Sequence, residues 1–302
     1  MGLSQIRNLH RYQAIKEEHE EKHYSIAALC EVAHVSRAGY YKWLKRKPSK
    51  NEIKNNELTT KIRDIYEKDS SKGYRRIRDD LIRDYQEVVN EKRILRICRI
   101  HGFFSTIKYT NNGCTKSAKK PYHIGENYLN RNFYADCPNE KWLTDVTEFQ
   151  YYLGPKKHKL YLSAILDLYD RRIVAYVIGD SNNNELVFQT LDKAIEGEPD
   201  AHPLFHSDRG FQYTSRIFFE KLQKAGMKQS MSRVGKCIDN GPMEGFWGIL
   251  KRERYYGKHF TNRQAVVDMI EDYIDYYNNK RYQRKLGVVT PIEKHTSYSK
   301  AA

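Results

Sequence analysis

Apolar residues recur at helical spacing through the first third of the chain and switch near residue 136 to the two-residue alternation of strands. In YSIAALCEVAHVSRAGYYKWLKR, Ile26, Leu29 and Cys30 form one stripe, and Ala33-His34-Val35 reads as a turn. Ser36 is placed to cap the next helix. That helix carries Arg37, Tyr40, Tyr41, Lys42, Lys45 and Arg46, leaving Trp43 and Leu44 for packing. The pattern is that of a helix-turn-helix, whose second helix offers its N-terminal residues to base edges in a major groove. Arg37, Tyr40, Tyr41 and Lys42 are therefore expected to contact DNA, although a plain helical hairpin with a basic face would read the same. A second helical unit follows in ELTTKIRDIYEKD, GYRRIRDDLIRDY and NEKRILRICRIHG, with Asn90 as an N-cap and Gly102 as a stop. Tyr74, Ile77 and Leu81 make its stripe, which leaves Arg75, Arg76 and Arg78 partly outward, along phosphates or in solvent.

Residues 111–135 hold Asn, Gly, Lys and Pro without a steady period and read as a basic linker. Beyond it TDVTEFQYY, KLYLSAILDLY and RRIVAYVIG are three runs divided by LGPKK and YDRR turns, hence consecutive antiparallel strands. NELVFQTLDKAI predicts a helix, PLFHSD a strand, TSRIFFEKLQKAG a helix ended by Gly226, KQSMSR a strand, and PMEGFWGILKRERYY a helix with Pro242 early. The order β-β-β-α-β-α-β-α is that of an RNase H-like α/β fold. The expected division is a helix-turn-helix in residues 1–50, a second helical module in 51–110, the linker, a core in 136–256 and a helical tail in 257–302.

Charge sharpens this picture. A formal net charge of +15 and a pI near 9.4 point to a polyanion partner, because each neutralised phosphate releases counterions. The 24 tyrosines could stack on bases, though most belong in a core. Five scattered cysteines without a CxxC pair predict a reduced, cytoplasmic protein, and His19 and His23 have no CxxC partner for zinc. The N-terminus has no signal-peptide core, and no segment approaches the roughly 18 apolar residues of a membrane helix.

Within that frame, three acids stand in separate motifs: Asp145 in WLTDVTEF, Asp208 in FHSDRGFQYTS and Glu244 in DNGPMEGFWGILKRE. Three carboxylates gathered in a basic protein suit two divalent metals, one Asp bridging them, and two metals suit phosphoryl transfer on nucleic acid. Asp145 falls in the first strand, Asp208 at the end of the fourth, and Glu244 on a helix able to face both. On an uninterrupted helix Asn240, Glu244 and Lys251 share a face, joining a polar neighbour, a metal ligand and a lysine within reach of phosphate. Asp239 reads as a loop-orienting residue and Glu253 as a solvated partner of nearby basic residues. Asp167 is a spare carboxylate and His206 either a site or a structural histidine. Trp142 and Trp247 read as core.

These motifs, with GYRRI before them and YIDYYNNKRYQRKLGVVTPIEK after them, resemble the OrfB transposases of the insertion-sequence-3 family, within the DDE transposase and retroviral integrase superfamily. The resemblance spans roughly residues 25–295, and HSDRGxQYTS with DNxxMExFWxxLKxE is nearly diagnostic. It implies that Asp145, Asp208 and Glu244 are the catalytic and metal-binding DDE triad, served by two Mg²⁺ with Mn²⁺ as substitute. Lys251 is then expected to touch the element's terminal DNA. The resemblance further implies cleavage of element ends, joining of 3′-hydroxyl strands through a circular intermediate, and double-stranded partners, namely the terminal inverted repeats and target DNA. It also implies a bacterial, nucleoid-associated location and a homodimer or larger synaptic complex. Family members are often fused by frameshift to a first-frame OrfA with a leucine zipper; no heptad run is visible here, nor is an HHCC zinc module. A non-catalytic DNA-binding regulator is the alternative, and an RNase H-type nuclease a third reading that two DNA-binding modules disfavour.

Overall fold

The computed structural model describes residues 3–107, 123–233 and 237–300, in two compact units, Met1–Lys61 and Ile62–Ala302. In the first, α1 (Leu3–Lys22), α2 (Ile26–Val32) and α3 (Arg37–Leu44) close on Ile15, Cys30 and Tyr40, with Tyr12, Ile26, Leu29 and Trp43 around them. The helix-turn-helix is as expected: His34 takes a positive φ of 52° in the turn, and Ser36 caps α3 by accepting the Gly39 N–H at 3.1 Å.

Tyr40 departs from expectation. It is 1% exposed, its ring 6.2 Å from Tyr12 and 5.9 Å from Trp43, so it is a core residue and not a DNA contact. The reason lies in the facing of an eight-residue helix, where Tyr40 rather than its neighbour Tyr41 turns inward while Arg37, Tyr41 and Lys42 stay exposed. Tyr40→Ala is expected to cost this unit about 3 kcal/mol, as large-to-small core changes do. Hydrogen exchange on the full chain should then show faster exchange in α2 and α3, with β1 unaffected.

After α4 (Lys50–Lys68), whose Ile62 and Ile65 are buried, the second unit continues with α5 (Tyr74–Asp84) and α6 (Glu91–His101), the latter ended as expected by Gly102 at φ 72°. Three long strands follow: β1 (Lys141–Leu153), β2 (Lys156–Asp167) and β3 (Ile173–Gly179). After them come α7 (Asn184–Gly197), β4 (Leu204–Ser207), α8 (Arg216–Lys224), β5 (Lys228–Met231) and α9 (Gly241–Leu250). The sheet order is β3-β2-β1-β4-β5, with β1, β2 and β3 antiparallel and β4 and β5 parallel to β1. This is the RNase H-like arrangement.

Alternation along β1 divides the core. Trp142 points into the layer of α7 and α8 with Phe205, Leu191 and Phe218, whereas Leu143 and Phe149 face α9 and α10 (Arg263–Asn279). Residue 145 shares the parity of 143 and 149, so Asp145 faces α9. The segment beyond residue 256, expected as a tail, supplies core: Val266, Ile270, Tyr273 and Tyr277 of α10 lie in the same cluster as Phe149 and Phe246. Helix α11 (Pro291–Ser299) carries a capping box of Thr290 and Glu293. The last part of the expected linker lies against the sheet, where the Leu129 N–H donates to Ser230 Oγ at 3.1 Å; its earlier part, from residue 111 to 122, falls outside the described residues. Among the described residues no helix is long and apolar enough to cross a membrane.

Candidate active site

Asp145 sits in mid-strand because β1 alternates, and it meets α9. Its Oδ1 accepts the Val146 N–H at 2.8 Å and its Oδ2 accepts the Trp247 Nε1–H at 3.1 Å. Asp208 stands just past β4, in a turn where its Oδ1 accepts the Gly210 N–H at 2.8 Å. A Cβ on Gly210 would fall 2.9 Å from that oxygen, so a larger residue there would push the Asp208 carboxylate aside. Ser215, not Asp208, caps α8. Glu244 lies in the exposed first turn of α9, behind Pro242. The start of α9 is tied to β1 beside Asp145, because Asn240 Nδ2 donates to the Thr144 carbonyl at 3.1 Å.

The charges interact. Burial, then the Asp208 carboxylate, and more weakly Glu244 push the Asp145 carboxyl up to about 7, against the Val146 and Trp247 hydrogen bonds. Burial also raises Asp208, opposed by the Gly210 N–H, and raises Glu244. Lys251 is half-buried with Nζ 5.1 Å from the Phe149 ring centre; burial lowers its pKa, while Glu148 and Asp145 act the other way. Tyr213 is buried with its OH 3.4 Å from Thr144 Oγ1, close enough to feel both Asp145 and Asp208.

Two buried carboxylates held by neutral N–H donors, the charge of Asp208 raising Asp145, offer the hard oxygen ligands that a divalent cation takes. Among the described residues no three His, Cys, Asp or Glu side chains are drawn together as a finished ligand shell. Asp145 and Asp208 offer oxygens of that kind from adjacent strands, and Glu244 stands exposed on α9, near enough for its charge to act on Asp145.

Several expected site residues serve elsewhere. Asn240 is 4% exposed and bound to β1, hence not a DNA contact. It also shares no face with Glu244 and Lys251, because α9 begins only at Gly241 and a π turn, Lys251–Tyr255, begins at Lys251. Arg76 is held by Glu253 and Tyr276 at 3.0 and 2.7 Å and is not free for phosphate, whereas Arg75 is exposed, its guanidinium 5.1 Å from the Tyr74 ring. Glu253 does pair with basic residues, but inside the protein: it is 9% exposed. His206 is buried between Ser230 Oγ at 2.8 Å and Ser232 Oγ at 3.1 Å, and burial takes its pKa down to about 4. Asp167 is buttressed by the Asn139 and Tyr169 N–H groups at 2.7 and 2.8 Å, and burial with neighbouring Asp170 takes it up to about 7. Both are structural. Asp239 orients its loop as expected, through Arg233 and Arg131.

Sequence reasoning missed Trp247, which is core and also holds the first acid. The signal was available, since Trp247 lies three residues past Glu244 and so projects from the same side of the helix.

An RNase H-like sheet carrying acids on β1, after β4 and on the helix after β5 defines an integrase-core protein, in a superfamily whose members are generally polynucleotidyl transferases. Family models agree: residues 135–237 and 244–297 match integrase core domain models, and residues 54–110 an HTH-like domain. The chain is 35% identical over 277 residues to the putative transposase InsK of insertion sequence IS150 from Escherichia coli, covering 89% of this chain and 93% of that one. It is 32% identical over 261 residues to the IS904 transposase of Lactococcus lactis, covering 83% and 99%. The magnesium-bound HTLV-2 integrase catalytic core domain is a solved structural neighbour at 18% identity and TM-score 0.41, covering 53% of this chain and 98% of that one. The chain belongs to the insertion-sequence-3 family of transposases.

Proposed function

We propose that this transposase cleaves the ends of its own insertion sequence and joins the resulting 3′-hydroxyl strands to new DNA, using Asp145, Asp208 and Glu244. The observation that carries the reading is the pair of carboxylates at adjacent strands, where burial and then the Asp208 charge drive Asp145 up to about 7. Such a pair suits a bound cation, whose charge would offset the repulsion between the two carboxylates. When bound, two Mg²⁺ ions supply Lewis-acid activation of the attacking oxygen and neutralise charge at the phosphate. Asp145 and Asp208 would hold the ions from the sheet, with Asp145 fixed by Trp247, and Glu244 would complete the set from α9. Lys251, beside Asp145, takes a phosphate of the terminal DNA. Exposed Arg37, Tyr41 and Lys42 of α3 read the repeat, and Arg75 lies along the backbone.

The chain works on paired ends as a homodimer or larger assembly. The test is strand transfer in Mg²⁺ on DNA bearing the element's own ends. Transfer that stops on chelation supports the reading, and end-specific binding without transfer points to a first-frame OrfA partner or to a regulator.

Trp247→Phe gives a finer check. It keeps an aromatic side chain, though a smaller one, and removes the N–H that holds Asp145, and loss of such an orienting group typically weakens metal binding about 10–100-fold. The Mg²⁺ concentration for half-maximal transfer should rise accordingly, with the rate at saturating Mg²⁺ much less affected.

A further inference from the structure

We propose that Arg76, from the HTH-like module, is a positioning residue for the active site: by gripping Glu253 it sets the π turn that holds Lys251 beside Asp145. The proposal rests on the reading of Lys251 as a DNA contact.

A π turn closes i→i+5 bonds, here Tyr256 N–H to the Lys251 carbonyl at 2.7 Å. Such turns are rare and are found frequently at functional sites. This one is held from two sides. Toward the sheet, Tyr255 OH accepts the Gln150 N–H at 2.8 Å and donates to its carbonyl at 3.1 Å, and its ring meets Phe149 edge-on at 5.0 Å. Lys251, four residues earlier, lies over that same Phe149.

Away from the sheet, Glu253 has a side chain only 4% exposed and accepts from Arg76 at 3.0 Å, Arg281 at 2.8 Å and Tyr273 OH at 3.0 Å. Arg281 and Tyr273 already occupy both carboxylate oxygens. What Arg76 adds is a tie to α5, distant in sequence from the turn. Arg76 is itself fixed by Tyr276 OH at 2.7 Å and by Asp69 at 3.6 Å, and Arg254 of the turn stands 3.8 Å from the same Asp69. Any displacement of α5 is thereby passed to the turn that carries Lys251.

Glu253→Ala strips the charge from buried arginines and threatens folding, so Arg76→Met in the full chain is the informative variant, with Arg76→Lys as the conservative control. Thermal melting, hydrogen exchange of residues 251–256, and strand transfer at saturating DNA are measured beside Lys251→Ala and the double variant. Arg76→Met should melt cooperatively, exchange roughly tenfold faster in the turn, and lose roughly tenfold in transfer rate, with no further loss on adding Lys251→Ala. Arg76→Lys should recover part of the rate. Unchanged exchange, or losses that multiply in the double variant, would overturn the proposal. Faster exchange with a silent Lys251→Ala would instead sink the reading of Lys251 as a DNA contact, and Arg76's positioning role with it.

Discussion

Asp145→Asn, Asp208→Asn and Glu244→Gln should each lower Mg²⁺-dependent strand transfer by roughly 10³-fold or more, equivalent to about 4 kcal/mol of barrier. Each substitution is close to isosteric, so the fold should survive while a charged oxygen ligand is lost. Asp167→Asn is the control. Its carboxyl is equally perturbed, to about 7, but it faces the Asn139 and Tyr169 amides at the end of β2, so its loss should leave the rate near that of wild type. The triad variants should not add, because residues acting on one pair of ions fail as a unit. A pH dependence follows from the same electrostatics. Asp145 must be ionised to hold a cation, and burial with the Asp208 charge has raised it to about 7. Apparent Mg²⁺ affinity should therefore weaken as pH falls below about 7, and metal binding should release a proton. Titration of Mg²⁺ dependence at several pH values checks both points.

Glu253→Ala should destabilise the larger unit by about 3–5 kcal/mol, the cost of breaking a buried charge pair from one side. Arg76 and Arg281 would be left with their guanidinium groups inside the protein, and Tyr273 OH would lose its acceptor. Differential scanning calorimetry should show a Tm lower by on the order of 10 °C. The acid side gives an independent check. Burial alone would raise the Glu253 carboxyl, but Arg281 and Arg76 outweigh it and hold it below its ordinary value of 4.5. A depressed acid adds stability that is complete above its unfolded pKa and lost as pH falls through the folded one. The stability gap between wild type and Glu253→Ala should thus be constant near neutrality and close progressively below about pH 4.5.

The strand order was legible because each strand alternates or runs apolar between clear turns, and because Ser36, Asn90, Gly102 and Gly226 mark helix ends by local chemistry. The placement of the acids followed from that order. What failed was whatever depends on a partner far away in the chain. Arg76 looked outward from its own helix, yet it meets Glu253 across 177 positions. Glu253 looked solvated for the same reason. Tyr40 and Tyr41 are indistinguishable in composition, and only the packing of Tyr12 and Trp43 shows which one is inside. The assumption of a regular helix through residues 240–251 placed Asn240 and Lys251 on one face, and the π turn at Lys251 could not be read from local propensity.

The central claim is that Asp145, Asp208 and Glu244 together hold two divalent ions. Crystals of the full chain with DNA ends, soaked in Mn²⁺ and measured for anomalous scattering, test it most directly. Two peaks among these three carboxylates, with Glu244 drawn in from its exposed position on α9, are predicted. Peaks elsewhere, at Asp167 and Asp170 for example, or none at Asp145 under conditions that support strand transfer, would contradict it.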